Sequence, residues 1–537
     1  MYFAMSGGRL KPFDVSGAFR PAAQGGDLRR LAVRGAGATV FSQGLALAIQ
    51  IIGTMVLARL LTPANFGVVT MVTTFSLLVM NFGLNGFTEA IIRWKEIDQA
   101  LASNLFWINL GAGLLLTVGF AAAGSLLARF YRNPLVASIA IGISLTIIIS
   151  NMSVIHLALL KRAMRFSATS ANDILSRTVS VTVAILLAWA GWGYWALVAG
   201  VVAQSLSQTI GGWYLCQWVP SLPRRVVGTS SLLRFAMNVY GRFSLNYFAR
   251  NADNLLVGWH FNAPALGFYK KAYDLFALSA SNLVSPLSDV GVSALSRLNP
   301  DSIEYRQSLL RALEVLAFVG MGLGANLTLV GKDLIRLLLG PGWEASGRIF
   351  TFFGPGIGIM LLYHTHGWIH LSIGRADRWL RWGILEFGFT FLLFLLALPW
   401  GPVGIALAWT ASFWILTVPA FYYAGRPIHF RVGPMIAAVW KYIIASLLAG
   451  SASALIVSEL PSFVAAPVWV VAACRIVMSS MLFGTLYLGV VILLHQGCAP
   501  LYQVAQLLRE MVPWRRISVR SPAVTTARGA ETSESVT

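Results

Sequence analysis

The sequence has 537 residues, of which 57% are hydrophobic and 11% charged, and its mean hydropathy is +0.71. Soluble proteins carry roughly 25% charged residues, so this composition excludes an ordinary soluble protein and indicates a chain embedded in a lipid bilayer. The chain has 40 Lys and Arg against 20 Asp and Glu. The placement of these charges favours orientation in a membrane over nucleic-acid binding.

Apolar stretches of membrane-spanning length follow one another and predict an all-α, polytopic membrane protein with about 14 transmembrane helices. Gly, Pro, Arg or Asp interrupts several stretches, so twelve or thirteen spans remain alternatives. The predicted spans lie at 37–60, 67–88, 104–128, 135–158, 173–191, 193–216, 236–259, 265–290, 307–330, 349–372, 380–398, 401–423, 436–458 and 468–494.

A basic arm at 1–36 precedes the first span, and a tail at 495–537 follows the last. The arm has no apolar core, which does not fit a signal peptide, and both segments are predicted to be largely disordered. Lys and Arg concentrate in the arm, the tail and every second loop, so the positive-inside rule places both termini in the cytoplasm and requires an even number of spans. The opposite loops carry few basic residues, namely Arg59, Arg129, Arg132, Lys332, Arg336 and Arg348.

Two joins between spans follow the same plan, LLTPANFG at 60–67 and HFNAPALG at 260–267. Further matches in the same order pair 128–134 with 335–341, 161–165 with 374–378, and Trp192-Gly193 with Trp400-Gly401. Ordered matches of this kind indicate an internal duplication. Because each copy holds an even number of spans, we predict parallel repeats related by an axis along the membrane normal. The repeats form an N-lobe (37–216) and a C-lobe (236–423), and two extra helices lie at 436–494.

Paired lobes suit alternating access, with the substrate between the lobes. The loops leave no room for a soluble catalytic domain, and no phosphate-binding Gly-x-x-x-x-Gly-Lys-Ser/Thr loop occurs. The sequence therefore predicts a secondary transporter or a facilitator and not an enzyme. No cofactor is predicted, and coupling to H⁺ or Na⁺ is left open.

Polar residues at helical spacing mark the predicted cavity, because a charge in hydrocarbon needs a polar surrounding or a partner. In span seven, Arg242, Asn246, Arg250 and Asp253 share one face, with Asn254 beside them. The other predicted cavity residues are Lys270 and Asp274 in span eight, Arg177 in span five, Gln43 and Gln50 in span one, and Asn81 and Asn85 in span two. The alternative is that such groups form internal ion pairs, Arg250 with Asp253, Lys270 with Asp274 and Glu89 with Arg93.

Four further residues are candidates for coupling or gating. Glu89 and Asp289 place a carboxylate at the inner end of the second helix of each lobe, and His366 and His370 lie one turn apart in span ten. Because no carboxylate or cysteine stands within a turn of the histidines, protonation during transport is favoured over a metal site.

Four local patterns resemble the polysaccharide-biosynthesis flippases of the WzxC type, in the multidrug/oligosaccharidyl-lipid/polysaccharide (MOP) exporter superfamily. They are LARLLTP at 57–63 leading to Phe66-Gly67, AIIRWK at 90–95, LLKRAMRF at 159–166 and WGYWALVAG at 192–200. The resemblance covers about residues 35–495. It implies export of undecaprenyl-pyrophosphate-linked oligosaccharide across the bacterial inner membrane for exopolysaccharide, capsule or O-antigen. The implied partners are that lipid-linked oligosaccharide, membrane lipids, a polymerase and a chain-length regulator, without nucleic acid.

Three alternatives remain open at this point. A MATE-like drug or cation antiporter is expected to have an acidic cavity, whereas these stripes are net basic. A lipid II flippase handles the same type of headgroup. A membrane glycosyltransferase or polymerase predicts a large outward loop or a catalytic carboxylate pair, and the sequence supplies neither.

Overall fold

The computed structural model describes residues 9–19, 27–94, 96–224, 229–459, 467–499 and 501–502. In these residues the chain forms helices, with short 3-10 turns at Leu398–Trp400 and Arg426–Ile428 and isolated bridges instead of strands. The predicted all-α class is confirmed.

The helices before the long central loop are α1 (Asp27–Leu60), α2 (Pro63–Arg93), α3 (Gln99–Phe130), α4 (Leu135–Asn151), α5 (Val154–Arg162), α6 (Phe166–Trp189) and α7 (Tyr194–Leu215). After the loop come α8 (Thr229–His260), α9 (Ala263–Leu295), α10 (Ile303–Leu339), α11 (Glu344–Tyr363), α12 (His366–Ser372), α13 (Ala376–Ala397) and α14 (Gly401–Gly425). The last two described helices are α15 (Val432–Glu459) and α16 (Val468–His495), which pack on α10.

Ten stretches of the described chain are long and apolar enough to cross a membrane, so the protein is a multi-pass membrane protein. One stretch holds both α13 and α14, and α7, α8 and α9 are not among the ten. Polar residues lower the hydropathy of α8 and α9, and these are the helices with the predicted stripes. The count of fourteen spans therefore stays a prediction.

Predicted spans four and ten are each broken into two helices, a feature that the sequence reading missed. The break between α4 and α5 contains Ser153, and the break between α11 and α12 contains Thr365. The Ser153 hydroxyl donates to the Ser150 carbonyl at 3.1 Å, and the Thr365 hydroxyl donates to the Leu362 carbonyl at 2.7 Å. A hydroxyl that bonds the preceding turn offers its carbonyl an alternative to the helical ladder.

The two repeated joins are helix starts that meet each other. Pro63 occupies the first turn of α2, and in the first turn of α9 Asn262 caps the backbone N–H of Ala265. A Cβ added to Gly67 would overlap the carbonyl oxygen of Ala263, and one added to Gly267 would overlap that of Pro63. Glycine is thus required in both copies because α2 and α9 are in backbone contact. We call this end of the bundle the Gly67 end; the positive-inside rule predicts that it faces outward.

Aromatic packing further closes the Gly67 end. The Trp343 indole donates to the Ala58 carbonyl at 2.9 Å and packs edge-on against Phe66 at 5.5 Å and Phe268 at 5.9 Å between ring centroids. Trp343 is 1% exposed. One side chain therefore joins α1, α2 and α9 where the two groups of helices meet.

Below the Gly67 end, α2 packs along α8, and α1 packs along α6. The Tyr247 hydroxyl donates to the Thr74 carbonyl at 2.6 Å and the Tyr240 hydroxyl donates to the Leu78 carbonyl at 3.1 Å. A small cavity of about 40 Å³ lies between α1, α9 and α10. The interface between the two groups of helices is therefore closed along α2 and contains a small gap beside α1.

Residues 9–19 lie against the opposite end of the first group of helices, which differs from the disorder predicted for the arm. Leu10 donates its N–H to Leu215 and accepts one from Gln217, both at 2.9 Å, and is 7% exposed. Phe13 packs on Trp218, with ring centroids 5.9 Å apart. Burial of these apolar side chains offsets the entropy of ordering the segment. Most of the predicted tail lies outside the described residues.

Candidate functional site

The predicted stripe on α8 divides into an exposed and a buried part. Arg250 is exposed, whereas Asp253 is 0% and Asn254 is 1% exposed. The side chains of Arg242 and Asn246 lie outside the described residues. Asp253 and Asn254 therefore pack between helices in this conformation and do not face open space.

Asp253 is held by hydrogen bonds and not by Arg250. One carboxylate oxygen accepts from the Tyr269 hydroxyl at 2.8 Å and the Trp409 indole at 3.0 Å, and the other accepts from the Asn254 backbone N–H at 2.7 Å. These donors come from α8, α9 and α14. A buried carboxylate needs such donors because burial without them costs several kcal/mol. Asp253 thus fixes three helices around the site.

Arg250 faces a second polar group that includes Glu386. Its charge acts on Glu386 of α13 and on His364, which lies in the break between α11 and α12. The Arg250 carbonyl accepts from the Tyr273 hydroxyl at 3.4 Å. The Tyr363 hydroxyl oxygen accepts from the Trp382 indole at 2.8 Å.

Glu386 belongs to none of the predicted polar stripes. It is flanked by apolar residues in the middle of α13, and an acidic residue in a span is a signal of function. That signal was available in the sequence, because a lone carboxylate stands out even when it belongs to no stripe.

The α9 stripe forms a compact charged group. Lys270 pairs with Asp274 at 2.7 Å, and the Lys271 ammonium lies 3.9 Å from the same carboxylate. Lys271 also lies over the Phe66 ring, 4.2 Å from its centroid, and Lys270 lies 5.5 Å from the centroid of Tyr273. Two cations thus share one carboxylate. Lys271 was missed because it lies off the predicted face of the helix.

Lys271 and Asp274 line the cavity between α1 and α9, opposite Gln50 and Thr54. The structure therefore brings the predicted residues Gln50 and Asp274 together. The Tyr273 hydroxyl bonds the Arg250 backbone carbonyl, so this charged group of α9 lies next to Arg250 of α8. The ion pair proposed as the alternative for Lys270 and Asp274 is present at the cavity wall, so pairing and cavity lining are not exclusive.

Other predicted residues of the first group lie apart from these polar residues or bond locally. Gln43 is exposed, and the Asn81 amide donates to the Leu77 carbonyl at 2.6 Å. Arg177 pairs with Asp173 one turn away at 2.9 Å. The side chain of Asn85 lies outside the described residues.

The coupling candidates occupy different surroundings. Glu89 pairs with Arg93 at 3.2 Å on the exposed last turn of α2, and the Asp289 side chain lies outside the described residues. His366 and His370 are 2% and 0% exposed, with ring centroids 6.0 Å apart. In the described structure neither ring nitrogen of His370 has a hydrogen-bond partner, and that part of the chain holds no cluster of three metal-ligating residues. Their role in proton coupling stays a prediction.

A protein-family model described as "Polysaccharide biosynthesis protein" matches residues 56–347. The teichuronic acid biosynthesis protein TuaB of Bacillus subtilis is 24% identical over 58% of this chain and 64% of its own length. The succinoglycan biosynthesis transport protein ExoT of Rhizobium meliloti is 21% identical over 66% of this chain and 72% of its own length. The lipopolysaccharide biosynthesis protein WzxC of Escherichia coli is 21% identical over 59% of this chain and 65% of its own length. The chain thus spans slightly less than two thirds of TuaB and WzxC.

Two solved structures share the fold. The lipid II flippase MurJ in an inward closed conformation superposes with a TM-score of 0.66 and 13% identity, over 86% of this chain and 100% of that one. An inward-facing multidrug resistance MATE transporter of the MOP superfamily superposes with a TM-score of 0.54 and 13% identity. The superposition covers 72% of this chain and 94% of that one. The chain therefore has the same fold as these two membrane proteins.

Proposed function

Because the chain belongs to the polysaccharide biosynthesis protein family, we propose that it moves undecaprenyl-pyrophosphate-linked oligosaccharide across the bacterial inner membrane. The product would serve exopolysaccharide, capsule or O-antigen assembly, by way of a polymerase and a chain-length regulator. The predicted resemblance is confirmed at the level of the family. The substrate and the direction of movement are our proposal.

One observation carries this proposal. Polar residues that include Arg250, Lys270, Lys271 and Asp274 lie between the two groups of helices, below the closed Gly67 end. A pyrophosphate and a sugar cannot enter hydrocarbon unaided, since each unpaired hydroxyl alone costs roughly 2–7 kcal/mol. Arg250, Lys270 and Lys271 supply cations that can bind phosphate oxygens, although the carboxylates of Asp274, Asp253 and Glu386 lie in the same region.

We further propose that this conformation loads substrate from the cytoplasm. The α2–α9 backbone contact and Trp343 seal the end predicted to face outward, so we expect the substrate to enter from the opposite side. Release requires α2 and α9 to separate, which is alternating access. An inside-negative potential of about 100 mV assists outward movement by about 2.3 kcal/mol per negative charge, so a coupling ion is not required by the energetics.

The family and the fold do not support the enzyme alternative, because both are those of transport proteins. The similarity to a lipid II flippase, at 13% identity, shows a shared fold. It does not favour lipid II as the substrate of this chain.

The test is a bacterial host that makes such a polymer and lacks its own flippase. Arg250→Ala is expected to abolish polymer export and to leave the lipid-linked saccharide on the inner face, because the phosphates lose a cation; Arg250→Glu should be more severe. Arg129→Ala, which removes a basic residue of the last turn of α3, is the control. The quantities measured are polymer, lipid-linked saccharide and membrane-bound protein. Normal polymer from Arg250→Ala protein that is present in the membrane would refute the cationic site.

A further inference from the structure

A second cavity, separate from the one beside α1, lies among the ends of α9, α10, α11 and α14 that meet at the Gly67 end. Its volume is about 580 Å³, within the range of small-molecule sites, roughly 300–1,000 Å³. Two basic residues and apolar walls line it, with no acidic residue among the lining residues of the described chain. The lining residues are Ala265, Phe268, Lys332, Ala345, Arg348, Ile349, Thr351, Phe352, Pro402 and Val403.

A tight crossing of α10 and α11 places the two basic residues together. A Cβ on Gly347 would lie 3.2 Å from the Cα of Lys332, and a Cβ on Gly331 would lie 3.0 Å from Cδ1 of Phe350. Each cation is therefore the neighbour in sequence of a glycine at the crossing. The Ser346 hydroxyl donates to the Phe268 carbonyl at 2.8 Å, which fixes α11 against α9. Lys332 and Arg348 therefore lie in closely packed helices and not in a loop.

The charges of Lys332 and Arg348 are not neutralised within the described residues. Neither residue forms an ion pair there, whereas the nearby acidic side chains have other partners. Asp333 lies 3.7 Å from Arg475, and the Glu344 carboxylate accepts from the Gly342 N–H at 3.1 Å. Two of the few basic residues on this predicted face therefore line the same cavity, and neither is paired with an acidic side chain of the described residues.

We propose that this cavity binds the phosphate headgroup of an anionic lipid at the membrane surface near the Gly67 end. Arg and Lys are the groups that bind phosphate oxygens, with Arg able to form paired hydrogen bonds. Phe268, Phe352 and Val403 supply an apolar wall for the first carbons of the acyl chains. The helices around it form part of a membrane protein, and exposed Trp400 (72%) stands beside the rim, as aromatic side chains do at membrane interfaces. A lipid fits this combination better than free phosphate does.

This site requires neither the transported substrate nor the cavity beside α1. It assigns to the C-terminal half a lipid contact in which one bound lipid would touch α9, α10, α11 and α14. The inference therefore stands or falls independently of the proposed function.

The test is native mass spectrometry of the full chain in detergent with added dioleoyl-phosphatidylglycerol. The double variant Lys332→Gln/Arg348→Gln is expected to bind the first lipid about tenfold more weakly, because each basic group near a surface contributes to anionic-lipid binding. Lys332→Arg/Arg348→Lys, which keeps both charges, should bind like the wild type. Arg129→Gln/Arg132→Gln removes two cations of the same predicted face outside the cavity and should also bind like the wild type.

Circular dichroism and a monodisperse elution profile establish that each variant is folded. If the double variant fails either check, Arg348→Gln alone replaces it, since Arg348 is exposed. Unchanged affinity in the folded variant lacking these charges would overturn the proposal. So would displacement of the lipid by an equal concentration of inorganic phosphate, which would identify a free-phosphate site, or equal binding of dioleoyl-phosphatidylcholine.

Discussion

The contact between α2 and α9 gives a direct test of how the Gly67 end is closed. In Gly67→Ala the new methyl group would overlap the Ala263 carbonyl, a backbone atom that cannot rotate away. Overpacking of this kind typically costs about 1–3 kcal/mol. Because only the closed conformation contains the contact, we expect the equilibrium to shift toward opening by about 5- to 150-fold.

The assay is labelling of a single cysteine at Leu266, which is 0% exposed beside the contact. The native cysteines Cys216, Cys474 and Cys498 are replaced by Ala, and an impermeant maleimide is added to sealed cells. Labelling of Leu266→Cys is expected to accelerate by the same factor in the Gly67→Ala background.

Gly111→Ala is the matched control. It makes the same change inside α3, where a Cβ would have nothing within 4 Å, and there alanine is expected to stabilise the helix by about 0.5–1 kcal/mol. An unchanged labelling rate in Gly67→Ala would refute the reasoning, as would an equal acceleration in Gly111→Ala.

Two further predictions concern stability, each measured as the thermal midpoint of the purified protein. Tyr269→Phe removes a donor from the buried Asp253 carboxylate and should cost about 1–3 kcal/mol; Tyr502→Phe, at an exposed tyrosine, should not lower the midpoint. Leu10→Ala should cost about 2 kcal/mol or more and release the N-terminal segment to proteolysis, whereas Val15→Ala, at 103% exposure, should do neither. Equal midpoints within either pair would contradict the corresponding contact.

The sequence predicted those parts of the fold that depend on local chemistry. The duplicated joins were recognisable because Pro63 and Pro264 mark helix starts and Gly67 and Gly267 recur at the same place. The breaks at Ser153 and Thr365 were not recognisable, because serine and threonine also occur in unbroken spans with the same local hydrogen bond. The backbone contact of α2 with α9 explains the glycines only after both helices are seen together.

Helical spacing shows which residues share one face of a helix, but it does not show what packs against that face. This limited the prediction of the site. Spacing placed Arg250 and Asp253 on one face, but the tertiary structure exposes the first and buries the second under Trp409. Similarly, spacing selected Lys270 and passed over Lys271, although the two share Asp274. Which polar group meets a cavity is decided by the neighbouring helices, and these are distant in sequence.

The position of Lys271 connects the charged group of α9 to the closed end. Its ammonium lies over the ring of Phe66, the residue before Gly67, and only loosely against Asp274 at 3.9 Å. A cation over an aromatic ring is worth about 0.5–2 kcal/mol. A phosphate that binds Lys271 competes with this contact, so binding weakens the packing around the α2–α9 junction by up to that amount. A ligand shifts an equilibrium only by its difference in affinity for the two states. For the proposed substrate this difference would have a structural source, because the closed end uses the same lysine that the proposed headgroup would bind.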